Sequence, residues 1–168
     1  MIRTEDTVIV GIDNGISGGL CAIADWSGDV IAHTAMPTNT FDGKTEVDVR
    51  AVLQWLELYH KDMIVCIEEP LKHAKSSQAM RSMSISFGKI LGACEAKQYA
   101  VRRVQVKEWQ DVMLGKKLAK GMTKVAALKK ANELWPKEKW LGSSRSKISH
   151  DGIVDAALIS RYYRDTEP

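Results

Sequence analysis

The 168-residue chain has no apolar run near the roughly 20 residues that a membrane helix needs, so no such span is expected. Its first residues, Met1-Ile2-Arg3-Thr4-Glu5-Asp6, lack the basic start and apolar stretch of a secretory signal. Export is therefore not expected, and a cytoplasmic location is. Cysteine is scarce: there are 3, an odd number, and Cys21, Cys66 and Cys94 lie in apolar surroundings without ligand-type spacing. They read as reduced core residues rather than a disulfide framework or a metal site. Internal repeats are missing, and only residues 137–149 are compositionally biased. Net charge is small, +3. With 45% hydrophobic and 27% charged residues, the composition is that of an ordinary globular protein. The length suits one domain with a full core, expected to span 1–168.

What is present starts with Val8-Ile9-Val10-Gly11-Ile12-Asp13-Asn14-Gly15. The apolar run reads as a buried strand. Asn14-Gly15 is a turn signal, and Ser17-Gly18-Gly19 precedes a second apolar run. Asp13 thus ends a core strand, where a charge is costly unless paired or metal-bound. Met63-Ile64-Val65-Cys66-Ile67 repeats the pattern, ending in Glu68. Near the C-terminus, His150-Asp151-Gly152-Ile153-Val154-Asp155 places two aspartates four apart at the start of a helix-like segment. Carboxylates at i and i+4 share one helix face. Two strand ends and a helical pair could therefore converge on one acidic site for divalent cations. Strand alternation sends Glu69 to the opposite face, which favours Glu68.

Charge is distributed unevenly. Residues 1–69 hold 4 Lys/Arg against 12 Asp/Glu, whereas residues 102–147 hold 13 against 4. A basic run is most often a solvated helix face. Beside an acidic centre it also suits a metal-dependent nuclease, which needs carboxylates for ions and cations for phosphates.

In chain order, Leu20–Trp26 and Val30–Met36 complete an antiparallel meander with the first strand. Residues 37–45 read as a loop. Thr45 is placed to cap a helix over about 46–60, with Asp48 three residues on. Met63–Glu68 is a strand expected beside the first, bringing Glu68 next to Asp13. A long helix over about 77–97 carries Met80, Met83, Phe87, Ile90, Leu91 and Cys94 on one face. Ser84, Gly88 and Gly92 form a small-residue ridge, suited either to packing on the sheet or to close contact with a second copy. A strand over Tyr99–Val106 follows, then a short helix 107–114 and a basic loop 115–121. A helix over 122–135 ends at Trp135-Pro136, and a final helix covers about 150–163.

Gly11-Ile12-Asp13-Asn14-Gly15, Ile67-Glu68-Glu69-Pro70, Val104-Gln105-Val106-Lys107 and His150-Asp151-Gly152-Ile153-Val154-Asp155-Ala156-Ala157-Leu158-Ile159 together resemble the RuvC-type Holliday-junction resolvases. The Trp109 segment, Met122-Thr123-Lys124 and Leu134-Trp135-Pro136 are most similar to the phage and plastid branch. The resemblance runs from residue 8 to about 163. It implies an α/β ribonuclease-H-like fold, with a five-stranded mixed sheet flanked by helices. It implies a DNA endonuclease that resolves four-way junctions by paired nicks. Asp13, Glu68, Asp151 and Asp155 carry over as ligands for two Mg²⁺ ions, for which Mn²⁺ would substitute. For Asp151 the alternative is a helix N-cap. Lys107 and Lys124 match basic positions near the scissile phosphate, or are surface lysines. Lys72, Lys75, Lys116, Lys117 and Lys120 join them as candidate DNA contacts. His73 and His150 could assist or be structural. The family's proline after the first aspartate is Asn14 here, and its aromatic after the glutamate motif gives way to Pro70-Leu71-Lys72-His73. The expected partners are branched DNA and a second copy in a homodimer, with no membrane.

Three other readings share parts of this pattern. A sugar-kinase or actin-like ATPase needs a second domain copy and a second phosphate loop. A ribonuclease acting on RNA–DNA hybrids or structured RNA would use the same carboxylates. A non-catalytic junction-binding protein would have no need to keep all four.

Overall fold

The first apolar run forms β1 (Val8–Asp13), which lies at the centre of a five-stranded sheet. The computed structural model describes residues 6–59, 62–70 and 77–167. β2 (Gly19–Ala24) and β3 (Val30–Ala35) follow as the expected antiparallel meander, with Asp13 paired to Gly19 and Gly19 to Ala35. Next come β4 (Thr38–Phe41), β5 (Lys44–Val47) and α1 (Val49–Leu56). β6 (Met63–Glu68) pairs with β1 in parallel, as predicted, up to Ile12 opposite Ile67. After α2 (Ser77–Ala96), β7 (Ala100–Val104) adds a second parallel pairing, with Glu68 opposite Val104. α3 (Val106–Met113), α4 (Thr123–Leu134) and α5 (Asp151–Thr166) complete the chain. The strand order is β3-β2-β1-β6-β7. Among the described residues no helix is long and apolar enough to cross a membrane.

Alternation along the strands builds two cores, one on each sheet face. Ile9, Cys21, Ile23, Ile64, Cys66 and Val104 face α3, α4 and α5, where Trp109, Met113, Ala127, Ala131 and the apolar residues of α5 meet them. Val10, Ile12, Leu20, Ala22, Val65 and Ile67 face α1 and α2, packing with Val52, Leu56, Ile90 and Cys94. Both faces of β1 and β6 are covered, which explains their nearly continuous apolar sequences. All three cysteines are buried and outside any disulfide, as read from their surroundings.

On the first face α5 meets β1 and β2 through backbone as well as side chains. A methyl carbon added at Gly11 would lie 1.9 Å from the Ala156 carbonyl oxygen, and one at Gly152 would lie 2.4 Å from the Gly18 Cα. One at Gly19 would lie 2.8 Å from the Ile153 nitrogen. Gly18 and Gly152 also form a parallel bridge. Thus Gly11, Gly19 and Gly152 allow the helix to settle onto β1 and the start of β2, while at Gly18 a methyl carbon would lie 2.0 Å from the Asp13 carbonyl oxygen of its own turn.

The segment 37–45, expected as a loop, contains most of a β-hairpin. Phe41 pairs with Lys44, and Asp42 and Gly43 both have positive φ, 49° and 73°. Two such residues make the type I′ turn that matches strand twist, and Asp-Gly is among its preferred sequences. The hairpin claims Thr45, so the helix cap falls to Asp48, whose Oδ1 accepts from the Ala51 nitrogen at 3.1 Å. The helix begins three residues later than read and ends at Leu56. Among the described residues of α2 only Ser86, Ile90 and Cys94 are buried. Gly88 and Gly92 are exposed, and a methyl carbon at either would meet nothing within 4 Å. The small-residue ridge therefore does not pack on the sheet. Lys72, His73 and Lys75 lie outside the described residues.

The glycine contacts predict a selective cost. Gly11→Ala and Gly152→Ala should each lower unfolding free energy by about 1–3 kcal/mol or more, because overpacking here meets backbone that cannot rotate away. Urea unfolding of both variants reads this directly. An unchanged midpoint would mean that α5 does not sit on the strands as described.

Candidate active site

Three carboxylates come together at the end of the sheet where β1 and β6 finish. Asp13 and Glu68 share the α5 face by strand alternation, in phase with Ile9 and Ile64. Asp155 reaches the same place from the second turn of α5, which the glycine contacts hold against β1. The proximity shows in their proton affinities. Burial and then the charge of Asp13 push Glu68 up to about 8, with Asp155 adding to the rise. Burial and then Asp13 and Asp151 push Asp155 up to about 7, against the opposing pull of Lys124. Asp13 is raised by burial, and the Gly15 N–H and the His150 charge work against that.

Each acidic group is held by a neighbour. Asp13 Oδ1 accepts from the Gly15 nitrogen at 3.3 Å. Glu68 Oε2 accepts from the Trp109 indole nitrogen at 2.7 Å. Asp151, the most exposed of the four, pairs with Lys124 at 2.6 Å through Oδ2. Asn14 is fully buried and its Nδ2 donates to the Glu68 carbonyl, tying the two strand ends beyond their last ladder pair. Asn14 Oδ1 and His150 Nδ1 are buried without a hydrogen-bond partner among the described residues.

Sequence reasoning named the carboxylates but missed two residues that position them. Trp109 read as part of a family segment and a short helix; its indole N–H, once buried, needs an acceptor and finds Glu68. Asn14 read as a turn residue. Its side chain is instead a strut between β1 and β6.

The basic residues divide. Lys124 lies at the acidic centre through Asp151. Lys107 is exposed and pairs with Asp111 one turn along α3. Lys116, Lys117 and Lys120 are exposed on the loop before α4 and form no ion pair among the described residues. Asp151 is the first residue of α5 and His150 occupies the cap position without a side-chain cap bond.

The donor set fits hard divalent cations: oxygen ligands, partly dehydrated, whose like charges raise one another's pKa. Among the described residues no three His, Cys, Asp or Glu side chains stand as a ready-made ion cage. Glu68 turns an oxygen to Trp109 and Asp151 turns one to Lys124. Neither of two surface concavities, about 480 Å³ beside the hairpin and about 540 Å³ on α4, is lined by the carboxylates.

No family model matches the chain, and no curated protein does. Solved structures do. RuvC of T. thermophilus in complex with Holliday junction substrate is similar with a TM-score of 0.62 at 15% identity, covering 96% of each chain. A second Thermus thermophilus RuvC structure gives 0.60 at 19% identity, over 95% of this chain and 96% of that one. The yeast mitochondrial Holliday junction resolvase gives 0.61 at 14%, over 97% of this chain and 80% of its own. The fold is therefore ribonuclease-H-like in the arrangement seen in these proteins.

The raised carboxylates predict how the metal-free protein responds to pH. A carboxyl group with a folded pKa above its unfolded value stabilises the fold fully below the unfolded pKa, and that stability is lost as pH rises. For Glu68 the window runs from 4.5 to about 8, and for Asp155 from 3.8 to about 7. With chelator present, the melting temperature should fall between pH 5 and pH 8 by roughly 5 °C or more. Asp155→Asn should flatten the fall. Added Mg²⁺ should stabilise more at pH 8 than at pH 5, since protons compete for its ligands. A pH-independent melting temperature without metal would contradict the clustering.

Proposed function

We propose that this protein is a metal-dependent endonuclease that resolves four-way DNA junctions by paired symmetric nicks. The single observation that carries the reading is the meeting of Asp13, Glu68 and Asp155 on one face, from two parallel strand ends and the central helix. The fold supports it, since a structure of the same arrangement holds a Holliday junction as substrate. The free lysines of the loop before α4 support it as well.

In this reading Asp13, Glu68, Asp151 and Asp155 would hold two Mg²⁺ ions. When bound, the ions supply an activated water and charge stabilisation for the leaving 3′-oxygen. The chain's own groups do the rest. Trp109 fixes one Glu68 oxygen and leaves the other for coordination. Asn14 sets the spacing of the Asp13 and Glu68 backbones. Lys124, kept charged first by its hydrogen bond to Asp151, offers a cation to the scissile phosphate. Lys116, Lys117 and Lys120 hold phosphates of the arms, giving affinity without sequence information.

The chain is read as one domain acting as a homodimer. Both cores share one sheet, and the exposed ridge of Ser84, Gly88 and Gly92 on α2 leaves room for close approach of a second copy. A two-fold dimer would present two equivalent centres to a two-fold substrate.

Cleavage of end-labelled four-way junction, linear duplex and RNA–DNA hybrid, with and without Mg²⁺, tests the activity. The junction should be cut preferentially and only with metal; preferential cutting of the hybrid would make the protein a ribonuclease instead. Asp13→Asn and Glu68→Gln should each reduce cleavage by about 10³-fold or more while junction binding persists, because ligand charge serves chemistry and the lysines serve binding. Glu69→Gln should cut normally. Near-normal turnover by Asp13→Asn would remove it from the site. For assembly, Gly88→Leu should shift sedimentation from dimer to monomer, and a wild-type monomer at micromolar concentration would refute the dimer.

A further inference from the structure

Two loops flank the acidic centre, and each holds an apolar side chain out in solvent. One, residues 114–122, precedes α4; the other, residues 142–149, precedes α5. The Lys124–Asp151 pair joins the first turns of those two helices, so the loops end side by side. Met122, two residues before Lys124, is 45% exposed. Ile148, three residues before Asp151, is 83% exposed, the highest value of any large hydrophobic side chain among the described residues. Packing does not account for this. Burying a side chain of that size is favourable, and here the fold leaves it in water.

The surroundings are of one charge. The first loop carries Lys116, Lys117 and Lys120, bracketed by Gly115 and Gly121 at φ 93° and 84°. The second carries Arg145 and Lys147. Neither segment contains an aspartate or glutamate. None of these five cations forms an ion pair among the described residues. Free cations call for a polyanion, and exposed aliphatic tips call for flat apolar faces. DNA with unstacked bases offers both, whereas intact duplex hides its base faces. Aliphatic side chains that wedge against base steps are an established means of holding distorted DNA.

We infer that Ile148 and Met122 insert against unstacked base faces at the branch point, beside the phosphate presented to the carboxylates. Selectivity for branched DNA then comes from these two side chains, and unselective affinity comes from the lysines around them. The inference rests on the junction-resolving reading and adds the residues that recognise the branch.

The experiment measures binding in EDTA, so cleavage does not enter. Four-way junction and linear duplex of the same arm sequence each carry 2-aminopurine, at the branch point or at the matching duplex position. Wild-type protein should prefer the junction and raise 2-aminopurine emission only there, as insertion unstacks the base. Ile148→Ser combined with Met122→Ser should lose about ten- to hundred-fold of junction affinity and most of the emission change. Its duplex affinity and salt dependence should stay as in wild type, since the lysines are intact. Ile148→Leu should behave as wild type. Both sites are exposed, so the melting temperature should not move. If wild type prefers the junction and the double variant matches it in preference and emission, the insertion is refuted and the junction reading stands. If wild type shows no preference for the junction, both fall together.

Discussion

The close seating of α5 on β1 and β2 is the constraint on which the candidate site depends. Asp13 and Glu68 are fixed by strand register, but Asp155 comes from a helix, and helices ordinarily stand off a sheet by the length of their side chains. Here three glycines remove that spacer: Gly11 beneath Ala156, Gly19 beneath Ile153, and Gly152 against the Gly18 backbone. Backbone contact leaves little freedom to slide or tilt. A carboxylate on the second turn of the helix is therefore placed as firmly as those on the strands. The cost is a helix that begins with a glycine in its first turn, roughly 1 kcal/mol poorer than alanine there, and sheet positions without side chains to pack. The buried apolar residues on either side of Asp155, Ile153 and Val154 before it and Ala156 to Ile159 after it, outweigh that loss.

The second demand on the structure is electrostatic. Three carboxylates lie partly dehydrated within reach of one another's charge, and without a cation they oppose the fold. The molecule limits this cost locally. Trp109 fills the core on one side and donates to Glu68 on the other, so one side chain serves packing and polarity together. The Gly15 N–H steadies Asp13. Among the described residues, the buried side-chain atoms left without a partner are Asn14 Oδ1 and His150 Nδ1 here, and His33 Nδ1 on β3. Orphaned buried polar atoms are uncommon, and each asks for a water, an ion or another partner.

The sheet and the identities of the acidic residues were legible because each rests on local pattern. An apolar run ending in a carboxylate announces a buried strand end, and this happens at both Asp13 and Glu68. The spacing of Asp151 and Asp155 announces one helix face. Other features were not legible because they are tertiary. Nothing around Gly11 or Gly152 says what will lie above it. The bond from Trp109 to Glu68 spans a crossover. The hairpin at 38–47 is a different case: Asp42-Gly43 was a readable turn, and the surrounding threonines and asparagine disguised two short strands as loop. Once that hairpin takes Thr45, the cap must move to Asp48. One misread turn therefore displaced the start of the following helix.

The small net charge conceals two opposed fields. The first 69 residues, with both strand-end carboxylates, are strongly acidic, and the segment from α3 to α5 is strongly basic. A phosphate backbone approaching the carboxylates alone would be repelled. Approaching by way of the loops before α4 and α5, it meets cations first. Lys124 and Asp151 stand where the fields meet. Their side chains are 74% and 49% exposed, so the pair adds at most about 1 kcal/mol to stability. Its consequence is positional: it joins the start of the basic helix to the start of the helix bearing Asp155. The surface ion pair marks where the two helices begin side by side, while the buried packing of Ala127 and Ala131 with α5 sets their spacing.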